Sequence, residues 1–160
     1  MKISIRKGIG FGLTSGIITT LGLIIGLNSG TGSRLVIIGG ILTIAIADAF
    51  SDSLGVHMSE ESGSKKTKEK SVWESTISTF FSKLIFALSF LIPFLLLSLN
   101  FAVIVSIIWA LLIITLFSYY LAKKNNHSPI KTISEHLIIT IVVIILTHLI
   151  GSFISKMLGS

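Results

Sequence analysis

Residues 35–62 read LVIIGGILTIAIADAFSDSLGVHMSEES, and this stretch decides the fold. The part from Leu35 to His57 is long enough to cross a bilayer as a helix, which takes about 20 residues. It nevertheless contains Asp48 and Asp52. A carboxylate at bilayer depth costs about 2.5–3.5 kcal/mol on insertion scales. Helical spacing places both acids on one face, about 6 Å apart along the axis. Such a pair favours a cation path over a purely structural hydrogen-bonded pair.

The composition predicts an all-α membrane protein with a single transmembrane domain over residues 1–160. Hydrophobic residues make up 51% of the chain and charged residues 12%, which excludes an ordinary soluble domain. The chain has no cysteine, which excludes disulfides, zinc-thiolate sites and thiol nucleophiles. We find no catalytic triad, phosphate loop, HExxH or nucleotide motif. The sequence therefore predicts a non-enzyme without a cofactor.

Five apolar spans are predicted, at about 8–28, 35–57, 77–98, 100–121 and 133–155, with a cytoplasmic loop at 58–75. The net charge of +6 is explained by basic residues between the spans, so the predicted partner is the lipid bilayer and not nucleic acid. The positive-inside rule predicts an N-in, C-out topology, because Arg34 and Lys156 alone fall on the outer side. The basic residues predicted to lie on the cytoplasmic side are Lys2, Arg6, Lys7, Lys65, Lys66, Lys68, Lys70, Lys123, Lys124 and Lys131.

The first span resembles a signal peptide at its basic start, but its apolar run is longer than a typical signal core, so we interpret it as a retained helix. Small residues recur along it at heptad spacing and predict a close-packing face, either against another helix of the chain or against a second copy. These residues are Gly8, Gly12, Ser15, Thr19, Gly22, Gly26 and Ser29, with Gly16 in the same stretch.

Asp48 and Asp52 are the best candidates for a metal site, with hydroxyls contributed by Ser15 and Thr19. Carboxylate oxygens suit divalent ions such as Mn²⁺, Fe²⁺, Mg²⁺ and Ca²⁺. Two carboxylates are too few for one such ion, and a homodimer would bring four together. The same acids could carry protons in exchange for the metal.

A second group of side chains at the predicted cytoplasmic entrance includes His57, Met58, Glu60 and Glu61. Glu, His and Met together could capture Fe²⁺ or Mn²⁺, although a solvated helix end beside a lysine-rich loop explains them equally well. His148 near the outer side is a further candidate for contact with the ion or a proton. Lys83, in the first turns of the third span, is predicted to snorkel toward the headgroups.

The order of these features resembles the vacuolar iron transporter family, including its prokaryotic iron/manganese members. Residues 10–27, GFGLTSGIITTLGLIIGL, resemble the family's first helix, G-x-N-D-G-L-x-x-T-x-G-L-x-x-G. Residues 46–62, IADAFSDSLGVHMSEES, resemble its second, A-G-A-x-S-M-A-x-G-E-Y-x-S. FALSFLIPFLLL and THLIGSFIS resemble its third and last helices. The resemblance implies a five-helix dimer in a prokaryotic cell membrane, with a metal path between subunits and proton-coupled export from the cytosol.

The sequence departs from the family pattern at the residues predicted to bind the metal ion. The family's first-helix aspartate corresponds to Ser15, its second-helix methionine to Asp52, its glutamate to Val56 and its tyrosine to His57. Exchanging a soft methionine for a carboxylate favours harder ions, Mn²⁺ or even Mg²⁺ and Ca²⁺, over Fe²⁺.

The sequence therefore predicts a transporter of divalent metal cations, an iron or manganese antiporter. Two alternatives remain open. One is a membrane scaffold that kept the fold without transporting, and the other is a proton or monovalent-cation channel.

Overall fold

The computed structural model describes residues 2–63 and 68–158, and the regular structure within these ranges is entirely helical. Apolar side chains on consecutive turns and few helix-breaking residues inside each run account for the long helices. The elements are α1 (Ile3–Thr31), α2 (Arg34–Gly63), α3 (Glu69–Ser89), α4 (Leu91–Leu96), α5 (Leu99–Lys124) and α6 (Pro129–Leu158).

Five helical spans in the described ranges are long and apolar enough to cross a membrane, α3 and α4 together forming the third. This confirms the predicted number of spans. Four of the five spans extend beyond the predicted limits at both ends, and the third begins earlier than predicted but ends at Leu96. Charged residues such as Lys124 and Glu69 continue a helix into water without loss of backbone hydrogen bonds.

The loop predicted at 58–75 is helical at both ends, which corrects the prediction. Helix α2 continues to Gly63, and α3 begins at Glu69. Hydropathy marks where the apolar stretch ends, whereas a helix ends where its backbone loses partners, and the Ser and Glu residues after His57 still form the i→i−4 bonds. The centre of the predicted loop, residues 64–67, lies outside the described residues.

The third span is interrupted at Phe90, between α3 and α4. Pro93 explains the break, because it has no N–H to donate and its ring crowds the carbonyl of Ser89 four residues earlier. The Phe90 N–H turns instead to the Ala87 carbonyl at 3.2 Å, a tighter turn than an α-helix makes. The proline thus divides the span into α3 and α4.

The chain divides into two compact units, the first containing residues 1–20 and 39–91. In this unit, glycines of α1 let its backbone approach α3 closely. A Cβ added at Gly12 would lie 2.5 Å from the Thr79 carbonyl oxygen, and one added at Gly8 would overlap the Ser75 carbonyl. The close-packing face predicted on the first half of α1 therefore meets another helix of the same chain.

The second unit contains residues 21–38 and 92–160. Here the later glycines of α1 face α6: a Cβ at Gly22 would lie 3.1 Å from Val143, and one at Gly26 would lie 3.6 Å from the Thr147 carbonyl oxygen. Gly151 on α6 is tighter still, since its added Cβ would overlap the Gly26 carbonyl oxygen. The second half of the α1 face is thus also used within the chain.

Replacing Gly151 with alanine is expected to lower the free energy of unfolding by about 1–3 kcal/mol, because backbone on α1 must move to admit the methyl group. Thermal unfolding in detergent measures this. Gly39→Ala is the matched control, since nothing lies within 4 Å of a Cβ added there. Equal melting temperatures for the two variants would contradict the packing described for α1 and α6.

Large apolar side chains point outward along several helices. Phe50, Leu112 and Ile145 are each about half exposed or more. In water such a surface would drive association, whereas in a bilayer it faces lipid tails. The outward apolar surface therefore agrees with the membrane-spanning lengths of the helices.

Candidate cation site

Helix α2 carries both predicted acids near its middle. Asp48 and Asp52 lie one turn apart, so their side chains leave the helix on the same face. Their side chains are 25% and 20% exposed. Both acids therefore remain partly accessible on the surface of the first unit.

A lysine of α3 occupies the space between these acids. The Lys83 Nζ lies 2.5 Å from Asp48 Oδ2 and also forms an ion pair with Asp52 Oδ2. It donates a hydrogen bond to Ser15 Oγ at 2.8 Å, and Ser15 in turn donates to Asp52 Oδ2 at 2.6 Å. Three helices thus contribute to one group, Ser15, Asp48, Asp52 and Lys83, which we call the acid–lysine cluster.

The glycines of α1 make this cluster possible. A Cβ at Gly16 would lie 3.0 Å from the Lys83 carbonyl oxygen and 3.4 Å from Lys83 Cγ. A methyl group at this point would require the backbone of α3 or the stem of the lysine to shift. The close approach lets Ser15, next in the chain, reach Lys83 and Asp52 together.

The cluster is electrostatically unusual because its cation is almost fully buried. The Lys83 side chain is 1% exposed, and an ammonium so far from water needs close counter-charges to remain charged. Two carboxylates supply them, which gives the cluster a formal charge of −1. Asp48 Oδ2 is buried and has no hydrogen bond beyond its ion pair with Lys83. The pairing corrects the prediction that Lys83 snorkels toward the headgroups.

A groove of about 480 Å³ on the first unit reaches the cluster. Asp52 and Glu60 are among its lining residues, and the small residues Ser51, Gly55 and Ser59 form much of its wall. Lys7 also lines it and lies 3.3 Å from Glu60 Oε1. The groove therefore links Asp52 to the end of α2 that is predicted to face the cytoplasm.

The side chains of the predicted entrance residues point in different directions. The side chain of Glu60 meets Lys7 of α1, while Met58 is 62% exposed. His57 faces α3, where its Nδ1 lies 3.0 Å from Thr76 Oγ1, and its Nε2 lies 3.4 Å from Glu61 Oε1. Among the described residues no three His, Asp or Glu side chains are placed to hold a metal ion.

His57 also packs against Trp73, with ring centroids 4.7 Å apart. Both residues border a second groove of about 650 Å³, lined mainly by aromatic and aliphatic side chains such as Phe50 and Phe80. Its lining suits acyl chains and lacks the carboxylates that a cation needs. We therefore place the candidate site in the smaller and more polar groove at Asp52.

Two further candidates have partners of their own. Thr19 donates its hydroxyl to the Ser15 carbonyl at 2.8 Å, one turn back on α1. His148, in the second unit, lies with its Nδ1 2.6 Å from Ser29 Oγ. Of the residues predicted around the metal, the structure brings the side chains of Ser15, Asp48 and Asp52 together. Thr19 bonds only the backbone of Ser15, and the hydrogen bond of His148 is to Ser29.

Lys83 is the member of the cluster that sequence reasoning missed. A signal was present, because a lysine at the seventh position of a predicted apolar span needs a counter-charge. Two intramembrane acids without a predicted partner were the complementary signal.

Comparison with known proteins assigns the chain to a family. A model of the VIT family matches residues 51–152, well over half of the chain. The chain belongs to the vacuolar iron transporter (VIT) family. The match includes Asp52 and Lys83 and begins just after Asp48. A search of curated proteins gives no significant match.

Membership of the VIT family indicates metal-ion transport across a membrane. Members of this family are transporters rather than enzymes, which agrees with the lack of catalytic motifs in the sequence. The chain is an integral membrane protein, and its spans imply a lipid bilayer as surroundings.

Proposed function

We propose that this VIT-family protein exports divalent cations, Mn²⁺ before Fe²⁺, from the cytosol in exchange for protons. The observation that carries the proposal is the pair Asp48 and Asp52, held on one face of a membrane-spanning helix, with Asp52 lining a groove that also contains Glu60. Carboxylate oxygens are the ligands that hard divalent ions prefer. Asp52 replaces the methionine that the family pattern has there, so harder ions are favoured.

The proposal includes a homodimer, because one chain offers too few ligands. Two carboxylates cannot surround a divalent ion, which takes six or more oxygen ligands when it is Ca²⁺ and near-octahedral coordination when it is Mg²⁺. The groove side of α2 is open, since nothing lies within 4 Å of a Cβ added at Gly55. A second copy against this side would bring four carboxylates together, with water and hydroxyls completing the shell.

Entry from the cytoplasmic end is supported by the position of Glu60. Its carboxylate lines the same groove as Asp52, two turns away on α2. A cation entering there would meet the carboxylate of Glu60 first and that of Asp52 further along the same groove. Entry into the groove therefore requires the Lys7–Glu60 pair, which is weak because it lies at the exposed end of α2, to open.

A membrane scaffold is the second candidate function, and the burial of Lys83 favours it. An ammonium seated between the two acids satisfies them without a metal ion. In a scaffold the cluster would serve only to hold α1, α2 and α3 together. Transport and scaffolding therefore differ in whether the acids ever exchange Lys83 for another cation.

Ion flux into proteoliposomes tests the proposal. We expect the reconstituted native protein to admit Mn²⁺ to liposomes that contain a metal-quenched dye. Fe²⁺ is expected to enter more slowly than Mn²⁺, and a proton gradient of the correct direction is expected to accelerate flux. Mg²⁺ and Ca²⁺ complete the panel, with protein-free liposomes as the control. Conductance without metal selectivity would indicate a channel. No flux for any ion under either gradient would contradict transport and favour the scaffold function.

A further inference from the structure

Lys83 occupies the position that a transported cation would need. Its Nζ contacts Oδ2 of both Asp48 and Asp52. Metal–oxygen distances for hard divalent ions are about 2.0–2.6 Å. An ion at that distance from both oxygens would overlap the ammonium. The ion and Lys83 Nζ therefore cannot occupy the acid pair at the same time.

Charge leads to the same conclusion. With Lys83 seated, the cluster of each chain has a formal charge of −1, and with the ammonium withdrawn its acid pair has a charge of −2. A divalent ion is therefore attracted more strongly to the acids once the ammonium has left them.

We propose that Lys83 is the resident cation of the acid pair and that a divalent ion binds by displacing it. The inference rests on the proposed function, since it concerns how that site exchanges its cation. In the metal-free protein the lysine compensates the acids and keeps α3 against α1 and α2. The metal ion then competes with a tethered ammonium, which lowers its apparent affinity and favours its release after transport.

The side chain of Lys83 is suited to this exchange. Its four-carbon stem is flexible, so Nζ can withdraw while the backbone of α3 stays in place. Gly16 leaves the region around Lys83 Cγ free of a side chain. Ser15, which accepts a hydrogen bond from Lys83 and donates one to Asp52, keeps a hydroxyl oxygen available to whichever cation is present.

Mn²⁺ binding to purified variants tests the displacement. Lys83→Gln removes the competing ammonium, so we expect Mn²⁺ to bind about tenfold more tightly or better than to the native protein. Lys83→Arg keeps the charge and is expected to bind Mn²⁺ no more tightly than the native chain. A purely structural lysine would give no gain in affinity on removal. Lys83→Gln that binds Mn²⁺ no more tightly than the native protein overturns the inference.

A measurement on the native chain covers the case in which Lys83→Gln fails to fold. Reductive methylation followed by mass spectrometry reports which lysine amines are free. Mn²⁺ is expected to raise methylation of Lys83 several-fold and to leave that of exposed Lys124 unchanged. Unchanged methylation of Lys83 in a preparation that transports Mn²⁺ overturns the inference.

Flux measured on the same preparations separates this inference from the proposed function. If the native protein transports Mn²⁺ but Lys83→Gln does not bind Mn²⁺ more tightly, the displacement is overturned and the proposed transport function stands. Tight Mn²⁺ binding by Lys83→Gln, lost on adding Asp48→Asn and Asp52→Asn, supports displacement even where native flux is absent. If the preparations show no flux and no Mn²⁺ binding, both the displacement and the proposed transport function are overturned.

Discussion

Replacing Lys83 with methionine is expected to lower the free energy of unfolding of the metal-free protein by about 3–5 kcal/mol. Methionine fills a similar volume but leaves Asp48 and Asp52 without their shared counter-charge. Removing one partner of a buried ion pair is far more damaging than replacing the whole group with neutral side chains. Thermal unfolding in detergent with a metal chelator measures the loss.

Two control variants make this stability test specific. Lys131→Met removes an exposed lysine whose nearest carboxylate, on Glu135, is 4.0 Å away, and should change stability little. Adding Asp48→Asn and Asp52→Asn to Lys83→Met removes all three charges and should restore most of the lost stability. A Lys83→Met protein as stable as the native one would show that the acid–lysine cluster does not hold the first unit together.

The helices and the acids could be predicted from the sequence because both depend on local pattern. An apolar run of about 20 residues must be a helix in lipid, whatever packs beside it. The shared face of Asp48 and Asp52 follows from their spacing alone. The contact of Ser15 with Asp52 agrees with the prediction that its hydroxyl lies near the acids.

The partners of Lys83 were missed because they depend on where α3 begins. Hydropathy placed the start of the third span at residue 77, so Lys83 lay within reach of the headgroups. Helix α3 begins at Glu69, which leaves Lys83 well inside the helix. Its direction is then set by the close approach of α1 at Gly12 and Gly16, a three-dimensional feature that no single stretch of sequence encodes.

The contacts of the entrance residues could not be predicted for a different reason. Residues 57–61 are near one another in the sequence, but successive helical residues point about 100° apart. His57 therefore meets Thr76 of α3, while Glu60 meets Lys7 of α1. Likewise, the spacing of small residues predicted a packing face on α1, but only the structure shows that α3 contacts its first half and α6 its second.

Neutralising the acid pair is expected to reduce Mn²⁺ flux to that of protein-free liposomes. Asp48 and Asp52 are the only carboxylates in the middle turns of the five described spans, so a cation would otherwise cross that region without a ligand. Substituting the acids alone would leave Lys83 buried without a counter-charge. Asp48→Asn, Asp52→Asn and Lys83→Met together keep the volume and remove every charge of the cluster.

Flux of Mn²⁺ through this triple variant, beside the native protein in the same proteoliposomes, tests most directly whether the acid pair is the transport site. The unfolding temperature of the reconstituted variant is recorded first, so that loss of flux is not loss of fold. We predict a stable variant with no flux above background, while the native protein transports. A stable triple variant that carries Mn²⁺ as fast as the native chain would contradict the account.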